Sequence, residues 1–244
     1  NLDKILTPPA EINITKASSL GGGLSGVAFE VVAKQGTNIL KSDTITTLGG
    51  KATFKCQPTN RNDIEITITE KIKPTDDTGT YQPLNKTMKI TLKYDTTTNK
   101  WKATETTDEE NVLGITNATN IDITITNQYI SPIKIGGDID GFGGFDKVDQ
   151  AGNPVIGAEF KAVFEQDGKE LATKTATSDT AGKLDFEAVQ PKTTSNVKVT
   201  ITETKAPAGY ENSKYNKTIE FKYDKNSHTW NPLTNDVHAK VQYK

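Results

Sequence analysis

The stretch VKVTITETKAPAGY, residues 197–210, decides how the rest of the chain is read. Val197, Val199, Ile201 and Glu203 share one parity, and Lys198, Thr200 and Thr202 share the other. A period of two with β-branched residues predicts a half-buried strand. Its inward row ends on an acid, Glu203, where another apolar residue is expected. Ala206, Pro207, Ala208 and Gly209 then stop the strand with turn chemistry. The arrangement stands also 133 residues earlier: Ile64, Ile66, Ile68 and Glu70, followed by Lys73 and Pro74. A carboxylate at the buried end of the same strand thus occurs once in each half.

Outward from these strands the halves keep matching. KVDQAGNPVIGAEF (147–160) aligns without a gap on KASSLGGGLSGVAF (16–29), with Lys first, Gly ten residues later and Phe thirteen later. TAGKLDFE (180–187) echoes LGGKATFK (48–55), and Asn216-Lys217-Thr218 echoes Asn85-Lys86-Thr87. Tyr223-Asp224 with Trp230 echoes Tyr94-Asp95 with Trp101. This is a tandem duplication, which predicts two domains, 1–131 and 132–244. In the first half a lead-in ends at Pro8-Pro9. Strands are then expected over 11–16, 24–32, 52–56, 64–70 and 87–94, at Trp101 and over 121–128. About seven short strands per copy, with turn signals between them, predict an all-β fold of two antiparallel β-sandwiches. The seam is 131–144, where Pro132 and five glycines break regular structure, although Phe142 and Phe145 could begin a strand.

The composition narrows the function. The 244 residues suffice for two modest cores. Lys+Arg 29 against Asp+Glu 31, with no basic block, argues against nucleic acid or an anionic membrane as partner. Arg61 is the single arginine, so clustered phosphate forks are ruled out. Cys56 is alone, so no internal disulfide forms. No apolar run is long enough to span a membrane and no signal peptide is evident. The chain reads as a piece of a longer one.

Three apolar rows of the first half end on polar residues: Ile12-Ile14-Lys16, Ile64-Ile66-Ile68-Glu70 and Ile121-Ile123-Ile125-Asn127. Buried charges must be paired, and burial lowers a Lys pKa and raises a Glu pKa. A neutral amine is a nucleophile. A protonated Glu beside it could donate to the Asn carbonyl, polarise it and then shuttle protons. Attack on the Asn amide carbon would expel ammonia and leave a Lys–Asn amide, a reaction that needs proximity and a dry site but no cofactor. The competing reading is a buried Lys–Glu ion pair with a neighbouring Asn, as ordinary cores contain.

The segment Lys147-Val148-Asp149 … Gly157-Ala158-Glu159-Phe160, followed by Ile201-Thr202-Glu203-Thr204-Lys205-Ala206-Pro207-Ala208-Gly209-Tyr210, resembles the collagen-adhesin B-type (Cna-B-like, prealbumin-like) domains of Gram-positive pilins and surface adhesins. ETKAPAGY is similar to the E-box of that family. Ile68-Thr69-Glu70-Lys71-Ile72-Lys73-Pro74 is a worn version of it. In the family a first-strand Lys bonds to a last-strand Asn, with the E-box Glu as catalyst. The resemblance implies a Lys16–Asn127 isopeptide bond with Glu70 as catalyst. It also implies Lys147 as nucleophile and Glu203 as catalyst in the second copy. There the last strand, 237–244, carries Val237, Ala239, Val241 and Tyr243 on one row and no Asn. Asn235 would require another register. Either the partner lies beyond Lys244 or this copy has lost the bond, and within these residues one cross-link is expected, not two.

Other candidates weigh less. Asp138-Ile139-Asp140-Gly141 resembles the start of a calcium loop but lacks the bidentate Glu that follows in such loops. His228 and His238 have no second ligand nearby, so no zinc site is expected. Trp101 and Trp230 occupy equivalent positions and read as packing residues. Asp108-Glu109-Glu110 reads as a solvated loop. Lys4 and other exposed lysines could join subunits, with nothing to single one out. The expected function is a stalk or shaft segment of a cell-wall-anchored surface protein. It needs no cofactor or metal and is not a turnover enzyme. Its partners would be other pilin or surface subunits, with a host protein or glycan also open. The rivals are an adhesive binding module and an accessory β-domain of a secreted glycan-active enzyme.

Overall fold

The structure is a computed structural model and describes residues 7–136, 145–233 and 240–242. These residues form strands, bridges and turns without a helix. They divide into two compact units. The first runs to Asp76 and resumes over Tyr81–Tyr129; the second takes Asp77–Thr80 and the chain from Ile130 onward. The fold is an all-β sandwich.

In the first unit the strands are β1 (Ala10–Ser18), β2 (Ala28–Gln35), β3 (Asn38–Thr46), β4 (Lys51–Cys56), β5 (Ile64–Ile72), β6 (Thr80–Tyr81), β7 (Met88–Asp95), β8 (Lys100–Thr107), β9 (Leu113–Asn117), β10 (Asp122–Asn127) and β11 (Tyr129–Ile130), with β6 and β11 each ending across the division between units. One sheet has the order β3-β2-β5-β7-β8 and the other β4-β1-β10-β9. Alternation places Ile12, Ile14, Val31, Ile66, Ile68, Ile123 and Ile125 in one core with Phe29 and Trp101. Each such burial contributes about 1.5–3 kcal/mol. Lys16, Glu70 and Asn127 continue the inward rows, as the parity predicts. Within these two sheets pairing is antiparallel except between β1 and β10, the first long strand and the last, which run parallel with Lys16 opposite Ile125 and Ser18 opposite Asn127.

β3 has no counterpart in the expected strands. It is an edge strand whose Lys41 and Asp43 face water and pair with each other, so no apolar alternation marks it. Charge on such an edge discourages pairing with other chains.

The second unit contains β12 (Phe145–Val148), β13 (Glu159–Gln166), β14 (Lys169–Thr177), β15 (Lys183–Leu184), β16 (Val197–Lys205), β17 (Asn216–Asp224), β18 (Thr229–Pro232) and β19 (Lys240–Gln242). The sheet orders are β14-β13-β16-β17-β18 and β15-β12-β19. Here too the terminal strands, β12 and β19, pair in parallel.

Side-chain hydrogen bonds repeat between the units. Gln35 donates to the carbonyls of Asn60 and Asn62, and Gln166 to those of Thr193 and Ser195. Thr47 Oγ1 joins Val27 N to Leu24 O, as Ser178 Oγ joins Ala158 N to Val155 O. Trp101 and Trp230 are buried, each donating its indole N–H to a carbonyl, of Pro8 and Ser131 respectively. The aligned spacing of these Gln and Thr/Ser residues was the signal in the sequence, masked because polar residues inside strands read as exposed.

The start of the seam belongs to the second core. Ile133 and Ile135 are buried there, and isolated bridges join Ile133 to Val189 and Gly136 to Asp185. Pro and Gly prevent a continuous ladder without preventing burial. A Cβ on Gly136 would lie 2.0 Å from the Leu184 carbonyl oxygen, and its φ is +80°. Residues 137–144, with the calcium-loop motif, and Lys4, Asn235 and His238 lie outside the described residues.

Candidate functional site

In the first unit, β1 and β10 bring Lys16 and Asn127 inward side by side, and β5 brings Glu70 from the opposite sheet. A register shift between Ala28 and Phe29 lies opposite the end of β5, with Phe29 paired to Glu70. The second unit has the same irregularity between Glu159 and Phe160, with Phe160 paired to Glu203. Bulges re-aim side chains beside functional sites.

Lys16 and Asn127 are wholly buried, and the Glu70 side chain is 2% exposed. Lys16 Nζ lies 3.5 Å from Glu70 Oε2, donates to Ile125 O at 3.2 Å and stands 5.8 Å from the centre of the Phe29 ring. Asn127 Nδ2 donates to Glu70 Oε1 at 3.3 Å and to the Gln82 carbonyl at 3.0 Å. One carboxyl group therefore receives the Lys on one oxygen and the Asn on the other. Asn127 Oδ1 is buried without a hydrogen bond. The amide thus presents its nitrogen to Glu70, whereas the sequence reading had the carboxyl facing the carbonyl.

Burial holds the Lys16 amine down at about 8, only partly offset by the neighbouring Glu70 charge. Burial likewise raises Glu70, against the opposing pull of Lys16, Asn127 and the Leu84 amide. Both shifts favour the neutral forms, so a proton moves between the two groups at modest cost. A neutral amine beside a protonated acid and an amide is competent for acyl transfer. The Gln82 carbonyl and Leu84 amide escape sequence reading because main-chain groups carry no residue signature.

Among the described residues the second unit repeats the pair. Lys147 Nζ lies 4.0 Å from Glu203 Oε2, both side chains wholly buried, and burial lowers the Lys147 amine against the Glu203 charge. Ser213 donates its backbone N–H to Glu203 Oε2 at 2.8 Å, and its hydroxyl donates to the same oxygen. Nothing in the sequence marked Ser213. In register, Lys147 faces Val241 as Lys16 faces Ile125. Two residues beyond Ile125 stands Asn127; two beyond Val241 the sequence has Tyr243.

The remaining candidates resolve simply. Asp108, read as solvated, accepts the backbone amides of Glu110, Val112 and Leu113, and so shapes its turn. Glu110 accepts the amides of Asn85 and Lys86. The Glu109 carboxylate lies 3.7 Å from Lys86 Nζ at the surface. His228 lies in the turn between β17 and β18, where its carbonyl accepts from Ser131 Oγ at 2.7 Å. Among the described residues no three His, Cys, Asp or Glu side chains gather as metal ligands. No described helix is long and apolar enough to cross a membrane.

Residues 143–235 match the family model of the SpaA prealbumin-like fold domain, so the resemblance drawn from 147–210 holds for the second unit. A comparison with curated proteins returned no match. Among solved structures, a streptococcal ancillary pilin aligns at 16% identity and TM-score 0.40, over 97% of this chain and 62% of that one. The pilus adhesin SpaC of Lactobacillus rhamnosus GG aligns at 17% and 0.37, over 87% of this chain and 26% of its own. The shaft pilin spaA of the same organism aligns at 16% and 0.31, over 86% of this chain and 93% of its own. The chain thus spans less than two thirds of the first two.

Proposed function

We propose that this chain is a pilin-type structural segment of a Gram-positive surface protein, with its first unit closed by a self-formed amide between Lys16 and Asn127. The observation that carries the reading is the placement of Lys16 and Asn127 on the two oxygens of one buried carboxyl, from the parallel strands that begin and end the unit. The family match over 143–235 supports the pilin-type role.

Proton transfer within the pair leaves Lys16 neutral and Glu70 protonated. Lys16 Nζ adds to Asn127 Cγ, the Cγ–Nδ2 bond breaks and ammonia leaves. Glu70 gives one proton and recovers one, so the group ends as it began. The reaction occurs once per chain and is not turnover catalysis. Pulling force then passes from β1 to β10 through a covalent bond and bypasses every strand between. That is the role disulfides fill in other exported proteins, and this chain has only Cys56, a buried free thiol. The segment would be displayed outside the cell, joined to other surface subunits.

The test is the intact mass of the purified chain. A deficit of one ammonia, abolished by Glu70→Ala, is expected. A full mass would refute the cross-link, and a deficit of two would show that the second unit also closes.

A further inference from the structure

We infer that the backbone over 81–84 orients the Asn127 amide so that Glu70 acts on the leaving nitrogen rather than on the carbonyl, with Tyr81 as the positioning residue that fixes this strap. The inference rests on the cross-link reading.

The Gln82 carbonyl can only accept, and it stands 3.0 Å from Asn127 Nδ2. Turning the amide over would set Oδ1 against that carbonyl, lone pair against lone pair. The strap therefore selects the orientation in which Nδ2 lies between Gln82 O and Glu70 Oε1 while Oδ1 receives no hydrogen bond. The strap itself is held at two points. Gln82 N donates to Gln128 O at 2.8 Å, just past β10. Tyr81 Oη donates to Ser18 Oγ at 3.0 Å, on the β1 residue paired with Asn127. One short segment thus ties both strands to be joined. In the second unit Ser213, ten residues beyond Glu203, turns its donors onto the carboxylate itself.

As Lys16 Nζ adds to Cγ, Nδ2 becomes pyramidal and gains a free lone pair. The N–H held by Gln82 O keeps that lone pair toward Glu70 Oε1, which donates its proton as Cγ–Nδ2 breaks. Glu70 then takes the proton released by Nζ, and ammonia departs.

Two experiments on the full chain test this. In a ¹⁵N-labelled Lys16→Met variant, which cannot close, both Asn127 side-chain amide protons are expected to be exchange-protected, with NOEs to the Gln82 and Leu84 backbone. Amide protons free in exchange and without those NOEs overturn the orientation. The second follows ammonia loss by mass in freshly synthesised chain. Tyr81→Phe is expected to slow closure roughly fivefold while the unclosed form stays folded, losing only the ~1 kcal/mol of stability that a hydrogen bond carries. Asn127→Asp, with no N–H for Gln82 O, is expected to lose water at least ~100-fold more slowly at neutral pH, and to speed up as pH falls and the new carboxyl takes a proton. Tyr81→Phe closing at the wild-type rate, or Asn127→Asp closing as fast as Asn at neutral pH, overturns the role of the strap. A wild-type chain of full mass refutes the cross-link instead, and the exchange experiment still decides the orientation.

Discussion

Glu70→Ala strands Lys16 in a dry core, and its cost separates the charge from the cross-link. With Glu70 present the amine is already held from its usual 10.5 to about 8, which corresponds to a net burial cost on the order of 3 kcal/mol. Without Glu70 the remaining partners of Nζ are the Ile125 carbonyl and the Phe29 ring. Breaking a buried pair in this way costs about 3–5 kcal/mol. The variant also cannot close the bond, which removes a loop of about 100 residues worth about 4–5 kcal/mol of unfolded-state restriction. The total loss is about 7–10 kcal/mol. Lys16→Met/Glu70→Leu loses the cross-link too but replaces the pair with apolar volume, a change that is neutral or stabilising by about 1–4 kcal/mol. It should therefore fall by no more than about 5 kcal/mol below wild type, well short of the Glu70→Ala loss. The assay is urea unfolding at pH 7 followed by Trp101 fluorescence, in a Trp230→Phe background that silences the second unit. Equal stability of the two variants would refute the claim of a dry, charge-penalising site. A Glu70→Ala loss no larger than the roughly 3–5 kcal/mol of the broken pair would refute the cross-link.

Closure requires a neutral Lys16 and a protonated Glu70, which together carry the charge of the ion pair. Its rate should fall about tenfold per pH unit above about 8, as the shared proton leaves; a flat profile to pH 10 by timed mass measurement would contradict this. In Asn127→Ala, which keeps the pair but cannot close, Lys16 binds fewer protons folded than unfolded between about 8 and 10.5. Stability should therefore rise with pH across that window, by up to about 1.4 kcal/mol per unit, in urea titrations at fixed pH. Gln166→Ala removes bonds to Thr193 O, Ser195 O, Lys192 N and Thr193 N and should cost the second unit about 2–4 kcal/mol, leaving the Trp101 transition unmoved. Gly182→Ala sets a Cβ 2.4 Å from the Lys147 carbonyl oxygen at φ +75°, whereas Gly152→Ala at φ +85° meets open space. Calorimetry should show the first costing more than about 3 kcal/mol and the second about 1 kcal/mol.

The inward rows ending at Lys16, Glu70, Asn127 and Glu203 were legible because a strand alternates with period two, so parity alone assigns a face, and Lys147 followed from its alignment on Lys16. The edge strand β3 was not, because it buries no continuous apolar row and its residues answer to water. The burial of Ile133 and Ile135 was hidden by Pro132 and Gly136, which mark an irregular backbone but say nothing about what covers it. The amide of Asn127 was expected to face Glu70 through its carbonyl. Its actual direction is set by the Gln82 main chain, which any residue but a mispositioned one would supply.

By itself the sequence determined the all-β class, the apolar rows and the polar residues that close those of the first half, since these depend on local periodicity. Only the tertiary structure decided that β1 and β10 lie side by side in parallel, because that pairing joins segments about a hundred residues apart and no local pattern encodes it. It alone put Glu70 between Lys16 and Asn127 and turned the Asn127 nitrogen toward the acid. Distances of a few ångströms across a core follow from how two sheets stack, and the desolvation that shifts both pKa values exists only once they have closed over the site.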